Sequence, residues 1–256
     1  MSAARDAAPP LHSPEELMAA VIAREVRDGE TVAVGTLAPI PASGVLLAHF
    51  THAPSARVVI INHPDFWPFR TGSKEFYDFA QRGGFDLFFL SGGQIDQFGN
   101  LNLIAVGDVE RPRVRFPGGA GAPMLYYIAR RVVLFRAEHS PRTFVARVDH
   151  VGSPGSTPPG VPRPGGPSKA VTPLCVFRFE PTRGRFAVES LHPGVSRDEL
   201  ARRTGFDLAW AEGAGETAPP SPDELLVLRT RVRESVAKAY PRWAAQAFAG
   251  RDGSLM

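Results

Sequence analysis

The chain has 256 residues, 43% of them hydrophobic and 21% charged, which is typical of a globular protein with a full core. The net charge of +3 comes from scattered arginines rather than a basic block, so nucleic-acid binding is not supported. No apolar run reaches the roughly 18 residues of a membrane helix, the N-terminus lacks the apolar core of a secretory signal, and the single cysteine cannot form an internal disulfide. We therefore expect a cytoplasmic protein that neither enters a membrane nor binds nucleic acid.

Helical and extended patterns alternate along the first third of the chain. Ser13 and Pro14 are suited to be the cap and first residue of a helix with apolar positions at helical spacing. Strands are predicted at residues 31–34, 57–61 and 86–90, and further helices at 41–50 and 73–81. This alternation predicts an α/β fold, doubly wound, with a mostly parallel sheet and helices on both faces.

Two glycine-containing loops are candidates for ligand binding. The segment "LSGGQIDQFGNLNL" directly follows the strand at 86–90, so Gly92, Gly93 and Gln94 occupy the place where parallel sheets bind ligands. The second loop lies in "VRFPGGAGAP", residues 114–123, and contains Gly118, Gly119 and Gly121. Its glycines permit close approach and leave backbone amides free for an anion or an acyl oxygen, although a plain turn between strand and helix is the alternative.

The second half of the chain reads as strands, loops and two further helices. Strands are predicted within 130–135 and 144–154 and on both sides of 181–184, and a capped helix at 196–204. The Pro/Gly-rich segment 153–169 is predicted to be a mobile loop. We expect a flexible N-terminus at 1–12, one domain at 13–212, and a Pro-rich linker with a C-terminal helix, starting near Asp223, at 213–256.

Five motifs, in this order and spacing, resemble the β subunit of family I coenzyme A transferases, and most of all the B-type subunit of glutaconate CoA-transferase: "SGGQIDQFGNLNL", "GDVERPRVRFPGGAGAP", "RTFVARVDHVGSPG", "LCVFRFE" and "LHPGVSRDELARRTGFDL". The resemblance covers residues 15–228. It implies the CoA-transferase (NagB/RpiA-like) fold, an α subunit as partner in a hetero-oligomer of α2β2 type, and an acyl-CoA thioester as substrate without a permanently bound cofactor. Residues 13–212 would then be the β-subunit domain.

The resemblance also assigns roles to the first loop. Gly92, Gly93, Gln94 and Asp96 match a loop near the acyl-CoA site and the subunit contact. The asparagines at 100 and 102 are then expected to hold that loop through hydrogen bonds from side chain to backbone. The glycines at 118, 119 and 121 are the second acyl-CoA-binding candidates.

One departure from the family pattern concerns the nucleophile. In the transferases the strand matching 57–61 is followed by a glutamate that attacks the acyl-CoA carbonyl and carries the CoA as a thioester. Here the strand runs into "INHPDFWPFR", and the nearest carboxylates are Asp65 and Glu75. This predicts diverged chemistry, namely hydrolysis, decarboxylation or C–C cleavage. A true transferase subunit and a noncatalytic subunit supporting an active α partner are the alternatives, and an effector sensor on a related sugar-phosphate isomerase-like fold is a weaker one because no helix-turn-helix is present.

The residues after this strand have two interpretations each. Asn62 could donate a hydrogen bond to the thioester carbonyl or merely cap the strand end. His63 could be a general base near neutral pH or a loop histidine. Phe66 and Trp67 are expected to line an apolar acyl pocket, with packing of the loop as the alternative.

The remaining polar candidates are expected to be structural. Cys175 lies within a strand and is interpreted as a small core residue. Asp149, His150 and His192 are expected to tie strands and turns together. No three ligands share the spacing of a metal site, so no bound metal is expected.

Overall fold

The computed structural model describes residues 11–248, so nearly all of the predicted flexible N-terminus lies outside the described residues. Its helices are α1 Pro14–Ala23, α2 Pro39–Phe50, α3 Ser73–Gln81, α4 Ala122–Ile128, α5 Arg197–Arg203, α6 Pro222–Val227, α7 Arg233–Ala237 and α8 Pro241–Ala247, with a π-helical turn Leu228–Val232 between α6 and α7. Its strands are β1 Thr31–Val34, β2 Arg57–Ile60, β3 Leu87–Leu90, β4 Gln94–Asp96, β5 Leu101–Asn102, β6 Ala105–Val106, β7 Val114–Arg115, β8 Arg131–Phe135, β9 Phe144–Val145, β10 Pro167–Val171, β11 Cys175–Glu180, β12 Arg185–Leu191 and β13 Trp210–Glu216.

The main sheet has eight strands in the order β13-β12-β11-β10-β8-β3-β1-β2. Strands β2, β1, β3, β8 and β10 are parallel, and β11 alone runs antiparallel to both of its neighbours. The strand β13 adds to β12 in parallel at one edge. The predicted doubly wound, mostly parallel α/β fold is confirmed, and the carboxyl ends of β1, β2, β3, β8 and β10 meet at one edge of the sheet.

Two apolar cores lie on opposite faces of this sheet. One is formed with α1, α2 and the C-terminal helices, and the other with α3, α4 and α5. In β8 the alternation is direct, because Val133 and Phe135 belong to the first core while Val132 and Leu134 belong to the second. Helices therefore cover both faces, as the alternating sequence pattern predicted.

The first helix begins where the sequence predicted. The Ser13 side chain accepts a hydrogen bond from the amide of Glu16 (3.1 Å), and the Glu16 carboxylate accepts one from the amide of Ser13 (2.8 Å), which is a complete capping box. Pro14 follows at the first helical position. Buried Glu16 also forms an ion pair of 2.7 Å with Arg229, which ties this helix start to the C-terminal segment.

A small three-stranded sheet, β5-β4-β9, covers part of the second face. Strand β4 follows β3 after Ser91, Gly92 and Gly93, and its Ile95 lies in the second core. A separate hairpin, β6-β7, leads into the second glycine loop. These short pairings place the loops of interest over the carboxyl edge of the main sheet.

Two expectations for the second half differ from the structure. Residues 167–169 belong to β10 rather than to the Pro/Gly-rich loop, because they pair with β8. Residues 210–216 form β13, which the sequence analysis missed, so the expected boundary after residue 212 falls inside a strand. The helices α6, α7 and α8 contribute residues to the first core, and the predicted division of the chain at residue 212 stays a prediction. The mobility of the loop before β10 stays a prediction, and Arg163 from this loop donates hydrogen bonds to the carbonyls of Pro154 and Tyr126.

Candidate active site

The turn after β2 presents Asn62 at the carboxyl edge of the sheet. Strand β2 pairs with β1 in the register Val34↔Ile60, and Asn62 comes two residues later with its side chain exposed. Its backbone is left-handed, with φ of 66°. Leu37, three residues after the end of the adjacent strand β1, is also left-handed (φ of 54°) and 87% exposed. Two strained residues thus follow adjacent strand ends, a feature that clusters at functional sites.

Neither nearby carboxylate is presented as a free nucleophile. Asp65 forms an ion pair of 2.8 Å with Lys238, and this hydrogen bond holds the pKa of Asp65 below its usual value. Glu75 accepts hydrogen bonds from the amides of Thr71 (3.1 Å) and Arg70 (2.9 Å), which lower the pKa of its carboxyl and close the turn before α3. The turn after β2 therefore presents an exposed amide, that of Asn62, and neither of these carboxylates is free.

The His63 imidazole points into the protein. It is 1% exposed, its Nε2 lies 2.9 Å from the carbonyl oxygen of Ser235, and its Nδ1 accepts a hydrogen bond from the amide of Asp65 at 3.1 Å. Burial lowers the pKa of His63, so the neutral form is favoured. With both nitrogens engaged, this geometry favours a structural role, the anchoring of the turn to α7, over the predicted general base.

The two aromatic residues after His63 pack against opposite cores. The Phe66 ring makes edge contacts with the rings of His49 and His63. The Trp67 ring lies against Phe69, with centroids 5.1 Å apart, and belongs to the second core. The packing alternative that the sequence left open therefore describes them better than a shared acyl pocket.

The two glycine loops contact each other. A Cβ atom on Gly93 would overlap the ring of Phe116, so only glycine allows this ring to lie against the first loop. At Gly92 an added Cβ would come within 2.9 Å of the Gln94 carbonyl oxygen. The structure thus brings the two predicted acyl-CoA-binding segments together at one edge of the sheet.

The second loop combines an exposed surface with a backbone of unusual conformation. Gly118 is exposed and left-handed (φ of 92°), and Ala120 has a φ of 42°. A Cβ on Gly119 would meet Cδ of Pro123 at 3.2 Å, and one on Gly121 would overlap the ring of Tyr77 on α3. At Gly121 no side chain fits, because the loop is pressed against α3 there, whereas at Gly118 the loop faces outward.

Polar side chains of the first loop bond to the loop itself rather than pointing outward. The Asp96 carboxylate, 1% exposed, accepts hydrogen bonds from the Asn100 side chain and from the amides of Phe98 and Asn100, all at 3.0 Å. Burial raises the pKa of Asp96, and these hydrogen bonds oppose that rise. Oε1 of Gln94, 5% exposed, accepts from the Asn102 side chain at 2.7 Å. This geometry gives Gln94 and Asp96 a supporting role, and their direct contact with acyl-CoA stays a prediction.

The expected roles of the asparagines are confirmed. Oδ1 of Asn102 accepts hydrogen bonds from the amides of Ile104 (2.9 Å) and Ala105 (3.3 Å). Oδ1 of Asn100 accepts one from the amide of Gly155 at 3.0 Å. Both side chains therefore hold the loop through backbone groups.

The residues expected to be structural are so. The Asp149 carboxylate accepts from the amide of Gly107 (2.6 Å), and His150 lies 2.7 Å from the carbonyl of the same residue. His192 bonds to the carbonyl of Thr172 (2.7 Å). Cys175 is fully buried, and burial raises the pKa of its thiol, so it is a core residue without nucleophilic character.

Two further properties of residues 11–248 bear on chemistry. Within this range no group of three or more His, Cys, Asp or Glu side chains is arranged to hold a metal ion. No helix in the same range is both long and apolar enough to cross a membrane.

The comparisons with known proteins identify the family. Residues 54–203 match the family model described as coenzyme A transferase. The B-type subunit of 3-oxoadipate CoA-transferase from Pseudomonas knackmussii is 33% identical over 243 residues, which covers 85% of this chain and 92% of that one. The chain therefore belongs to the coenzyme A transferase family, as a β-type subunit, and the resemblance drawn from the motifs is confirmed.

Other relatives differ in the activity that their names state. The B-type subunit of glutaconate CoA-transferase from Acidaminococcus fermentans is 26% identical over 85% of this chain and 91% of that one. The cholesterol ring-cleaving hydrolase IpdB subunit of Rhodococcus jostii is 33% identical over 55% of this chain and 57% of that one. The family thus contains both transferase and hydrolase subunits.

Solved structures agree with the fold. Glutaconate coenzyme A-transferase of Acidaminococcus fermentans superimposes with a TM-score of 0.73 at 26% identity, covering 86% of this chain and 94% of that one. For IpdAB of Rhodococcus jostii RHA1 the TM-score is 0.74 at 26% identity, with 85% and 93% covered. The decarboxylase AibA/AibB, at 24% identity and a TM-score of 0.71, covers 92% and 98% and shares the fold.

Proposed function

We propose that this chain is the β subunit of a heteromeric enzyme that acts on an acyl-CoA thioester by diverged chemistry: hydrolysis, decarboxylation or C–C cleavage. The CoA thioester is the substrate, as in coenzyme A transferases generally, and no permanently bound cofactor is required. The partner is a CoA-transferase α subunit, by analogy with relatives whose names identify them as one of two kinds of subunit, in an assembly of α2β2 type. A cytoplasmic location is part of the same proposal.

The observation that carries the proposal is the turn after β2. Asn62 stands exposed and left-handed at the strand end, while Asp65 is paired with Lys238 and Glu75 closes a turn. Formation of a thioester with the enzyme needs a carboxylate that can reach the substrate carbonyl. Since no free carboxylate is presented here, the reaction is expected to begin without attack by a residue of this turn.

Two loops support the binding of the thioester carbonyl in this proposal. The loops at Gly92–Gly93 and Gly118–Gly121 meet through Phe116, at the edge where parallel sheets bind ligands. In the proposal, backbone amides of the second loop polarise the thioester carbonyl, and the Asn62 side chain donates a further hydrogen bond. Such donors act mainly in the transition state, where charge develops on the oxygen.

The test begins with copurification of the chain with the product of an adjacent α-subunit gene. The complex is then screened by mass spectrometry against a panel of acyl-CoAs, with and without an acceptor carboxylate. Loss of acyl-CoA without an acceptor supports the proposal. A purified chain that turns over acyl-CoA as a stable monomer would contradict the heteromeric assembly.

A transferase remains the second candidate, favoured by the similarity to the 3-oxoadipate CoA-transferase chain over most of both sequences. Hydroxylamine trapping or borohydride reduction of the acyl-CoA-treated complex separates the two. A modified acidic residue mapped to this chain, Asp65 for instance, would establish the transferase. A third possibility, a noncatalytic β chain, requires that substitutions at Asn62 and His63 leave turnover per folded complex unchanged.

A further inference from the structure

Arg136 extends the edge where the glycine loops lie. It directly follows β8, and its amide donates a hydrogen bond of 3.1 Å to the carbonyl of Val171, which continues the β8-β10 ladder by one residue. By the alternation of Val132 and Leu134, its side chain is on the face of the second core. That is the face on which α3, α4 and both glycine loops lie.

One nitrogen of the Arg136 guanidinium has lost solvent without gaining a partner. The residue is half-buried, its Nε is buried without a hydrogen bond, and within residues 11–248 its side chain forms no hydrogen bond or ion pair. Burial of an ionised group without a partner is costly. Such a group is therefore expected to bind a counter-ion in the functional complex.

Two other arginines in the described part of the chain can be compared with Arg136. Arg163 and Arg185 also have a buried Nε without a partner. However, Arg163 donates to the carbonyls of Pro154 and Tyr126, and Arg185 donates to the carbonyl of Asp207 at 3.0 Å. Their charge is satisfied by backbone oxygens, whereas that of Arg136 is not.

The position of Arg136 relative to the first loop indicates what the counter-ion belongs to. Strands β3 and β8 are adjacent in the register Leu90↔Leu134, and Gly92 and Arg136 each stand two residues beyond this pair. Neighbouring strands are roughly 5 Å apart, so a ligand that reaches the Gly92 loop also comes within reach of a long arginine side chain. The planar guanidinium is suited to a carboxylate or a phosphate, which it binds through two parallel hydrogen bonds.

We propose that Arg136 binds an anionic group of the acyl-CoA substrate and thereby selects for it. This inference depends on the proposed function, since it concerns the same substrate. The anion is either a carboxylate at the far end of the acyl group or a phosphate of the CoA itself. Both are oxyanions that the guanidinium can bind in the same way, and the ligands of the experiment distinguish them.

The experiment measures dissociation constants by calorimetry on the assembled complex, wild type and Arg136→Gln, with three probes. Glutaryl-CoA has a terminal carboxylate, butyryl-CoA lacks it, and glutaryl-pantetheine keeps it but lacks the CoA phosphates. If Arg136 binds the acyl carboxylate, the dissociation constants of glutaryl-CoA and glutaryl-pantetheine rise roughly tenfold to a hundredfold in Arg136→Gln, and that of butyryl-CoA is unchanged. If Arg136 binds a CoA phosphate, the dissociation constants of both CoA thioesters rise in the variant and that of glutaryl-pantetheine does not.

Two variants serve as controls. Arg185→Gln removes an equally half-buried arginine at the start of β12 and should leave all three dissociation constants unchanged. Arg136→Lys keeps the positive charge but not the planar guanidinium with its two parallel donors. Its affinity for the anionic probe should therefore lie between those of Arg136→Gln and the wild type. If Arg136→Gln binds all three probes as the wild type does, the inference is overturned. It is also overturned if the variant assembles poorly with the α subunit while the complex that does form binds the probes normally, because Arg136 would then pair with the partner subunit. Failure of wild type to bind any acyl-CoA contradicts instead the proposed function.

Discussion

Acid should destabilise this fold through two buried histidines. His139 is 2% exposed and bonds to the side chains of Thr172 (2.9 Å) and Thr204 (3.0 Å). His192, also 2% exposed, bonds to the carbonyl of Thr172 and to the side chain of Thr217. Burial, with a smaller effect of Arg203, lowers the pKa of His139 to about 3, and burial lowers that of His192 to about 4. Both are therefore neutral in the folded protein at neutral and mildly acidic pH.

The size of the effect follows from linkage between protonation and folding. In the unfolded chain each histidine has its ordinary pKa of 6.5, so below that pH the unfolded state binds more protons than the folded state. Stability is complete above pH 6.5, falls as the pH drops below it, and stops falling only near the folded pKa values. At pH 5.5 each histidine costs about 1.4 kcal/mol of unfolding free energy, or about 3 kcal/mol for both.

The assay is urea denaturation at pH 7.5, 6.5 and 5.5, at constant protein concentration, for the wild type and for His139→Gln/His192→Gln. The double variant starts less stable because the Thr172 network is disrupted, but its further loss between pH 7.5 and 5.5 should be about 3 kcal/mol smaller than that of the wild type. The exposed His52, replaced by Gln, controls for the removal of an imidazole as such. Equal pH dependence in the wild type and the double variant would refute the assignment of these histidines as the acid-sensitive groups.

Four further predictions concern the candidate site, all measured as kcat and melting temperature on the assembled complex. Gly93→Ala should displace the Phe116 ring, lower the free energy of unfolding by about 1–3 kcal/mol and reduce kcat. Adding Phe116→Ala to the same chain should restore much of the stability and of kcat. If it restores neither, the two loops do not act through this contact. Gly119→Val should lower kcat by about a hundredfold with little change in melting temperature, whereas a large stability loss at normal turnover would rule out an oxyanion role. Asn62→Gly should leave stability within about 0.5 kcal/mol, because glycine accepts the left-handed backbone, yet reduce kcat if the amide donates to the carbonyl. His63→Leu should lower the melting temperature while turnover per folded complex persists; a selective loss of kcat would instead make it the general base.

The sequence predicted the scaffold well where local rules agree with the global fold. The first helix has its cap, its proline and its apolar spacing in one short segment, and it begins as expected. Buried strands such as β3 are continuous apolar runs, as parallel sheets require. By contrast β13, "WAEGAGE", contains two glycines and no apolar alternation, and it forms a strand only because β12 offers a parallel edge. Tertiary pairing of this kind leaves no local signal.

The candidate site divides in the same way. The positions of Gly92 and Gly118 beyond strand ends could be predicted, since glycine there has a physical reason that sequence shows. Whether Asp96 faces a ligand or its own loop could not, because it depends on which amides the folded chain brings near the carboxylate. The sequence likewise leaves the role of His63 open, because that role depends on Ser235, which is far along the chain and lies beside its ring in the fold. An unpaired arginine such as Arg136 is invisible in sequence, because the absence of a partner is a property of the fold.

The polar contacts of the first glycine loop differ from those of the turn after β2. The first glycine loop is held by a dense network in which Asp96, Gln94 and Asn102 each accept or donate several buried hydrogen bonds. A buried polar network stabilises a fold only if every member has its hydrogen-bond partners, so this network holds the loop in one defined geometry. At the turn after β2 the interactions of His63 and Asp65 instead fasten the backbone to the C-terminal helices, and Asn62 is left exposed. Under the proposed function, the glycine loops hold the thioester carbonyl while the turn after β2 supplies no nucleophile. We then expect the attacking or proton-abstracting group to come from water, from the partner subunit or from the substrate.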